Sequence, residues 1–427
     1  MNEKIIQLAW QLQLFDQKQL RLKDGSSLSV LDVGQANTNA GPDFLFGKIS
    51  IDGLILFGHI EIHVNSSDWI RHGHSRDPAY NMVVLHVVLN DDKEIKTQMN
   101  FTLPTLELKE RLGKEKLDLC EELLGSLDQI PCANRANTID KIYWHHWMDL
   151  MYRERVDHRV AEQESLLHMN NNDWENLCFQ MLAKGFGIQV NRDVFHLLSQ
   201  TIPWRVIQKH RADPFQIQAI LFGQAGLLSG NFQETYPQQL RTEYDHLKKA
   251  YKLIPLQSGI WKFSRMRPAS FPGIKIAQLA SVLSSKSNLV SEILHIDSID
   301  KLQSFLSCDM PTYWHDHYHF DRIGKAQQKS ISKDFTKHIC INFLVPFLSV
   351  YAKNTRQERF EDRAIELMES LKPEENVIIR KWESIGIIPE HAADSQALIQ
   401  LKQNYCDQKA CVRCEIGRKL ILCDSVD

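Results

Sequence analysis

The sequence predicts an α/β (α+β) N-terminal domain with an αβββαβ core, then a large, mostly α-helical domain and a short cysteine-rich tail. Apolar runs of strand length, bounded by turn signals, occupy roughly the first 100 residues. Long amphipathic patterns of helical period follow, and four clustered cysteines close the chain. A length of 427 residues with 43% hydrophobic and 24% charged residues suits a globular protein of several domains. We expect domains at 1–130, 138–400 and 401–427.

The N-terminal elements follow from apolar spacing and turn chemistry. Asp52-Gly53 between two apolar runs is a strong hairpin signal. Pro78 after Asp77 suits the first turn of a short helix, and VVLHVVL reads as a strand buried on both faces. The predicted order is a helix at 3–15, strands at 28–33, 44–51 and 54–64, a short helix after Asp77, and a strand at 83–89.

Charge and hydropathy exclude several classes of protein. No run of about 18 apolar residues is present, so we expect no membrane partner. The N-terminus lacks a signal-peptide cleavage pattern, and we expect a cytoplasmic protein. The net charge of −3 gives no general electrostatic argument for nucleic acid. Residues 1–135 carry 19 Asp and Glu against 14 Lys and Arg, which suits a site whose carboxylates bind a divalent cation.

Histidines and carboxylates concentrate in the predicted hairpin region. Five of the 18 histidines lie between positions 59 and 86. A hairpin turning at Asp52-Gly53 places Asp43 opposite about residue 62, so its carboxylate comes close to that of Glu61. Alternation along the strand points His59, Glu61 and His63 to one face. Two carboxylates with an adjacent imidazole indicate a divalent-metal site for phosphoester hydrolysis.

These residues carry a resemblance to a known family. Pro42-Asp43, an 18-residue step to Glu61, then Ile62 and His63, on an αβββαβ order, resembles the PD-(D/E)XK nuclease superfamily. The resemblance covers roughly the first 100 residues. It implies Asp43 and Glu61 as ligands of Mg²⁺ or Mn²⁺, and it places His63 where the family has a water-positioning lysine. The whole chain also resembles an uncharacterised bacterial protein family through its GPDF, EIH, SSDW and HxH-type signatures.

Further histidines surround this predicted centre. His72, His74 and Asp77 form a second cluster, which we interpret together with His59 as supporting groups near the metal. His86, within the predicted buried strand, is expected to be a core histidine. The sequence thus predicts a metal-dependent phosphodiester hydrolase acting on DNA or RNA. Two alternatives stay open: a zinc or manganese hydrolase with a histidine-rich site, and a degenerate nuclease fold that serves for binding or as a scaffold.

Two features outside the hairpin also suggest binding sites. Cys406, Cys411, Cys414 and Cys423 have the spacing C-x4-C-x2-C-x8-C, which favours a structural zinc site or an iron–sulfur cluster. Arg265 and Arg267 precede a predicted helix that starts near Gly273, where they are candidate phosphate ligands.

Overall fold

The structure, a computed structural model, describes residues 3–37, 39–327 and 329–422. The chain forms two compact units. We call residues 1–147, 384–387 and 401–427 the sheet unit, and residues 148–383 and 388–400 the helical unit. The sequence analysis treated 401–427 as a separate tail, whereas in the structure these residues group with the N-terminal region.

The sheet unit is built on one mixed sheet. Strands β1, β3 and β4 are antiparallel, β4, β5 and β6 are parallel, and the short β2 pairs with β3 outside this path. The elements are α1 (Glu3–Gln11), β1 (Leu28–Asp32), β2 (Gln35–Ala36), β3 (Phe44–Ile51), β4 (Leu54–Asn65), α2 (Asp68–Arg71), β5 (Val83–Asn90), β6 (Thr105–Glu107) and α3 (Lys114–Gly125).

The hairpin of β3 and β4 has one irregularity that determines the register of its open end. Asp52 and Gly53 both have positive φ, at 48° and 85°, as a two-residue turn requires. Pairing is regular from that turn to Gly47 opposite Gly58, but Phe44 then pairs with Ile60. One extra residue of β3 is therefore bulged, and Phe46 has a φ of 60° there. Because of the bulge, Phe44 pairs with Ile60, whereas a regular hairpin would pair it with Glu61.

Helix α1 covers one face of the sheet. Its apolar residues recur at helical spacing, and Trp10 is fully buried with its indole N–H donating to the Val33 carbonyl at 3.0 Å. Burying a side chain of this size stabilises the fold by roughly 2–3 kcal/mol. The core that α1 shares with the sheet includes Ile6, Trp10, Phe44, Ile49, Ile60, Ile62, Leu85, Val87 and Leu106.

The helical unit has a single large apolar core contributed by most of its helices. After α4 (Lys141–Met169), the elements in chain order are α5 (Trp174–Phe186), α6 (Arg192–Gln200), α7 (Trp204–His210), α8 (Pro214–Gln224), α9 (Thr235–Tyr251), α10 (Pro272–Ser285), α11 (Leu289–Leu294), α12 (Ile299–Leu306), α13 (Tyr313–Asp316), β7 (His317–His319), β8 (Arg322–Ile323), α14 (Lys333–Ile339), α15 (Val345–Thr355), α16 (Arg359–Ser370), α17 (Val377–Ser384) and α18 (Ala392–Leu401). The last helix, α19 (Glu415–Leu422), belongs to the sheet unit.

One helical segment is long and apolar enough to cross a membrane by length and composition. It runs from Lys333 to Thr355, and 78% of its most apolar window is buried inside the protein. A helix that packs in this way is typical of the centre of a large helical domain.

The structure confirms the predicted α+β N-terminal region and the mostly helical region after it.

Candidate functional site

The bulge in β3 brings the two predicted carboxylates together. The backbone N–H of Asp43 donates to Oε2 of Glu61 at 3.0 Å, and that of Ile62 donates to Oδ2 of Asp43 at 3.0 Å. Each carboxylate therefore accepts a hydrogen bond from the backbone of the opposite strand. The structure places Asp43 and Glu61 side by side at the open end of the hairpin, one residue from the register that a regular hairpin would give.

His63 lies at the centre of a group of imidazoles. Its side chain is 1% exposed, and its Nδ1 is 2.9 Å from Nε2 of His86 on the neighbouring strand β5. Its Nε2 faces the other way, 3.1 Å from Nδ1 of His72. The parallel pairing of β4 with β5 sets this contact, because Glu61 and His86 are register partners. The sequence placed His86 in the core but gave no sign of its contact with His63.

A short anchored segment delivers His72 and His74. Ser66 and Ser67 both donate their hydroxyl groups to the carboxylate of Asp92, at 3.0 and 2.7 Å. Gly73, between the two histidines, has a φ of 79°, which a residue with a side chain rarely adopts. The ring of His74 then stacks on that of Tyr80 with 3.8 Å between centroids. The SSDW sequence thus contributes to the site indirectly, because it anchors the loop that carries His72 and His74.

Three of these imidazoles are close enough together to hold a metal ion, and we call them the histidine ligand set. The ligand atoms of His63, His72 and His74 all lie within 4.8 Å of one another. Oε1 of Glu61 lies 3.3 Å from Nε2 of His74 and 3.6 Å from Nε2 of His63. Metal–ligand bonds of about 2.0–2.1 Å in a tetrahedron separate neighbouring ligand atoms by about 3.4 Å. The measured spacings of 3.1, 3.3 and 3.6 Å surround that value.

The electrostatics of the group favour neutral imidazoles. Burial, reinforced by the neighbouring imidazoles, lowers the pKa of His63 to about 2. Burial also lowers the pKa of His86 to about 3. A neutral imidazole is the form that binds a metal ion, so neither histidine has to lose a proton at neutral pH.

Burial has the opposite effect on the two carboxyl groups. It raises the pKa of Asp43 to about 6, against the lowering effect of its hydrogen bonds from Ile62 and Gln7. It also raises the pKa of Glu61, to which the nearby charge of Asp43 contributes. A nearby cation would remove this cost of burying two negative groups together.

Helix α1 supplies two residues that the sequence analysis did not identify. The side-chain amide of Gln7 donates to Oδ1 of Asp43 at 2.8 Å. Glu3 lies one helical turn before Gln7, and its carboxyl pKa is raised by burial and by the charge of Glu61, whereas His72 lowers it. The available signal was the i, i+4 spacing of Glu3 and Gln7, which places both polar side chains on one face of the helix.

Two predicted supporting residues have local structural contacts. Nδ1 of His59 accepts the backbone N–H of Phe46 at 3.3 Å, so this ring bonds an amide at the bulge. Oδ1 of Asp77 accepts the backbone N–H of Ala79 at 2.9 Å and caps the turn Pro78–Tyr80. Neither side chain belongs to the histidine ligand set.

An open groove with cationic residues adjoins the histidine loop. Its lining includes Arg71, Arg76 and Lys96, with Glu94 as the one acidic side chain. Gly73, between the two ligand histidines, also lines it. The groove encloses about 1370 Å³, including space open to solvent. Its charge and its position suit a substrate with phosphate groups.

The other predicted residues lie elsewhere. Arg265 and Arg267 are exposed in the loop before α10, within the helical unit. Cys406 ends the helical segment Lys402–Cys406, and Cys411 and Cys414 lie in the turns before α19, all within the sheet unit. Cys423 lies outside the described residues.

Comparison with known proteins identifies the family of the chain. Residues 3–377 match the family described as "Protein of unknown function (DUF2851)", so the chain belongs to this family. This confirms the resemblance to an uncharacterised family. No curated protein and no solved structure matches the chain.

Proposed function

We propose that this member of the DUF2851 family is a metal-dependent phosphodiester hydrolase whose divalent ion is held by His63, His72 and His74 beside Glu61. The observation that carries this proposal is the convergence of three imidazole ligand atoms within 4.8 Å of one another, with Oε1 of Glu61 3.3 Å from His74 and 3.6 Å from His63. The proposal retains the hydrolytic chemistry predicted from the sequence and moves the metal from the carboxylate pair to the histidines.

The ligand types select the metal. Imidazole suits Zn²⁺ and Mn²⁺, whereas Mg²⁺ prefers carboxylates and water. Asp43 already accepts hydrogen bonds from Gln7 and from the Ile62 backbone, so we assign it to positioning Glu61. We therefore expect Zn²⁺ or Mn²⁺ to support activity better than Mg²⁺.

Each residue has a distinct part in the proposed reaction. When bound, such an ion lowers the pKa of water and neutralises the charge that develops on a phosphoryl group. Glu61, with its raised pKa, is suited to accept a proton from the attacking water. His86 contacts Nδ1 of His63 and thereby orients Nε2 towards the ion.

The substrate class follows from the groove and from the topology. Arg71, Arg76 and Lys96 offer cations to phosphates beside the ligand loop. The αβββαβ order on a mixed sheet accords with the PD-(D/E)XK resemblance, whose members cut phosphodiesters. His63 is buried and neutral, so it does not supply the positive charge of that family's lysine. We propose that the groove cations and the metal ion supply this positive charge instead. The proposed substrate is nucleic acid.

Metal binding is tested first. The full chain is freed of metal with a chelator, loaded with Zn²⁺, Mn²⁺ or Mg²⁺, dialysed, and analysed for metal per chain. We expect one Zn²⁺ or Mn²⁺ at this site and a loss of roughly 100-fold in affinity for His72→Asn. His145→Asn, an exposed histidine on α4, is the control and should bind normally. Equal binding by His72→Asn and wild type would refute the histidine site.

Activity is tested on labelled single-stranded and duplex DNA and RNA. Wild type should cut at least one of them with Zn²⁺ or Mn²⁺, and Glu61→Gln should not. Arg76→Glu should weaken substrate binding while metal binding stays unchanged, because Arg76 lines the groove and is outside the ligand set. Metal binding without cleavage of any nucleic acid would overturn the hydrolase and favour a binding role. Cleavage that needs only Mg²⁺ and survives His72→Asn would return the metal to Asp43 and Glu61.

A further inference from the structure

Four cysteines from two distant parts of the chain meet in the sheet unit. Cys132 lies in the turns between α3 and α4, where its carbonyl accepts the backbone N–H of Arg135 at 2.9 Å. Cys406, Cys411 and Cys414 come from the segment before α19. The sequence analysis considered only the C-terminal cysteines, because nothing in the spacing connects them with a residue more than 270 positions earlier.

Packing and charge place the four thiols around one another. Cys411 belongs to an apolar cluster with Leu117, Leu123 and Ile421, and Cys132 packs against the same cluster. The other three thiols contribute to the raised pKa of Cys406, and Cys411 and Cys414 contribute to that of Cys132. Cys411 and Cys414 are buried, at 8% and 6% exposed, and Cys132 and Cys406 are half-buried.

An indole N–H points to the same place. Trp147 is 7% exposed, and within the described part of the chain its Nε1 makes no hydrogen bond to oxygen or nitrogen. Its ring lies 5.5 Å from that of Tyr405, next to Cys406, and its N–H lowers the pKa of Cys414. A buried donor without a partner is rare, and a thiolate or a sulfide of a metal cluster would satisfy it.

The start of α19 provides further donors to the thiols. The backbone N–H groups of Gly417 and Ile416 lower the pKa of the Cys414 thiol, against the effect of burial. Gly417 also lies so close to the Cys411 carbonyl that a side chain at this position would run into it. Amides directed at sulfur stabilise a thiolate, which is the form that binds metal.

The alternative is a set of core cysteines without a ligand. Burial raises the pKa of Cys132 to about 12 and that of Cys414 to about 11, as it would for any buried thiol. Core cysteines, however, need no convergence of four sulfurs from two segments and no donors directed at one of them. The convergence and the unpartnered indole are what a metal centre explains.

We propose that Cys132, Cys406, Cys411 and Cys414 form a four-thiolate metal centre that connects the turns after α3 to the C-terminal segment. The fourth ligand is Cys132, and Cys423 is not required. Four sulfurs on one zinc ion lie about 3.8 Å apart. No three of these described sulfurs lie within 4.8 Å of one another, so the spacing favours an iron–sulfur cluster over zinc.

The test compares two cysteines. The full chain is purified without oxygen and without chelator, and iron, acid-labile sulfide and zinc are measured per chain together with the visible absorption. We expect a full iron–sulfur cluster in wild type and in Cys423→Ser, and a loss of at least tenfold in bound iron for Cys132→Ser. Cys308→Ser, in the helical unit, is the control for a general effect of removing a thiol.

Several outcomes would overturn the proposal. Wild-type protein without iron or zinc would refute the centre, and metal retained by Cys132→Ser but lost from Cys423→Ser would refute the ligand assignment. Stoichiometric zinc would support the centre and overturn the iron–sulfur assignment. If Cys132→Ser does not fold, alkylation of wild type decides: the four thiols should react only after the metal is removed, whereas equal reactivity before and after removal refutes the centre.

Discussion

The two units bury polar side chains for different reasons, and one pair of histidines shows the difference. His317 of the helical unit lies between two carboxylates, with Nε2 3.0 Å from Glu234 and Nδ1 2.6 Å from Asp316. Burial alone would lower its pKa, but these hydrogen bonds raise it above the ordinary value. His63 of the sheet unit faces other imidazoles, and its pKa falls to about 2.

The same contrast holds for other buried charges. In the helical unit, Arg159 donates to the Ile341 carbonyl at 3.1 Å and to Gln396 at 2.9 Å. Lys275 donates to Gln278 at 2.9 Å and lies over the ring of Phe335. Donors there meet acceptors, which is what a stable core requires. In the sheet unit, His63 faces His86 and His72, and each neutral imidazole offers one N–H donor and one acceptor nitrogen. Imidazoles of this kind can exchange hydrogen bonds for bonds to a cation, whereas a network of Arg and Lys donors with carbonyl and amide acceptors cannot.

The largest expected effect tests whether His63 of the sheet unit acts as a metal ligand. His63→Asn should lower metal-dependent cleavage by at least about 1000-fold, because it removes the central ligand. The metal-free protein should lose only about 1–2 kcal/mol of stability, from the hydrogen bonds of His63 to His86 and His72. Cleavage assays and urea unfolding without metal measure the two effects. A large loss of stability with little loss of activity would make His63 a structural residue like His317.

The second prediction tests whether the buried hydrogen bonds of the helical unit stabilise its fold. Arg159→Ala should lower the free energy of unfolding by about 3 kcal/mol, because Gln396 and the Ile341 carbonyl lose a buried donor. Urea unfolding measures it, and Arg205→Ala on the exposed side of α7 should change the stability by less than about 0.5 kcal/mol. If both variants behave alike, the buried network does not stabilise this unit.

The third prediction concerns pH. Burial lowers the pKa of Lys275 to about 7, far below its value in the unfolded chain. Between pH 7 and about 10 the unfolded state then binds more protons, so stability rises with pH. From pH 7 to pH 9 the gain from this group is about 2 kcal/mol. Lys275→Met should remove that part of the pH dependence in urea unfolding, and an unchanged profile would contradict the lowered pKa.

The smallest expected effect has the opposite sign. His317 has a raised pKa, so its ion pairs stabilise the folded state fully below the unfolded pKa and are lost as pH rises through the folded pKa. The stability difference between wild type and His317→Gln should be larger at pH 6 than at pH 9 by about 1 kcal/mol. The same measurement on His319→Gln is the control, because burial lowers the pKa of that residue. A difference that grows with pH would contradict the carboxylate pairing.

The sequence was informative where the signals are local. The Asp52-Gly53 turn and the apolar runs predicted strands at 44–51 and 54–64, and the structure has them at Phe44–Ile51 and Leu54–Asn65. This hairpin predicted that Asp43 lies within a residue of Glu61 along β4, but their facing arrangement depends on the bulge at Phe46, which the sequence did not predict. Side chains on one hairpin are placed by turn chemistry, which a single sequence contains.

The remainder depends on contacts between distant segments. His86 meets His63 only because β4 and β5 pair in parallel with one particular register. Gln7 reaches Asp43 through the docking of α1, and Cys132 meets the C-terminal cysteines across most of the chain. Such contacts result from tertiary packing, and no periodicity or spacing rule for a single segment contains them.

The bulge at Phe46 has a consequence for finding relatives of this site. With 18 residues from Asp43 to Glu61, a hairpin without the bulge would set Asp43 across from Ile62 and turn the carboxylates to opposite faces. A homologue with one residue deleted between them and a regular hairpin would restore the facing pair. A step one residue shorter between the two carboxylates can therefore replace the bulge and give the same facing pair. A search that fixes the 18-residue gap would miss the shorter version and would accept chains in which the same letters build no site.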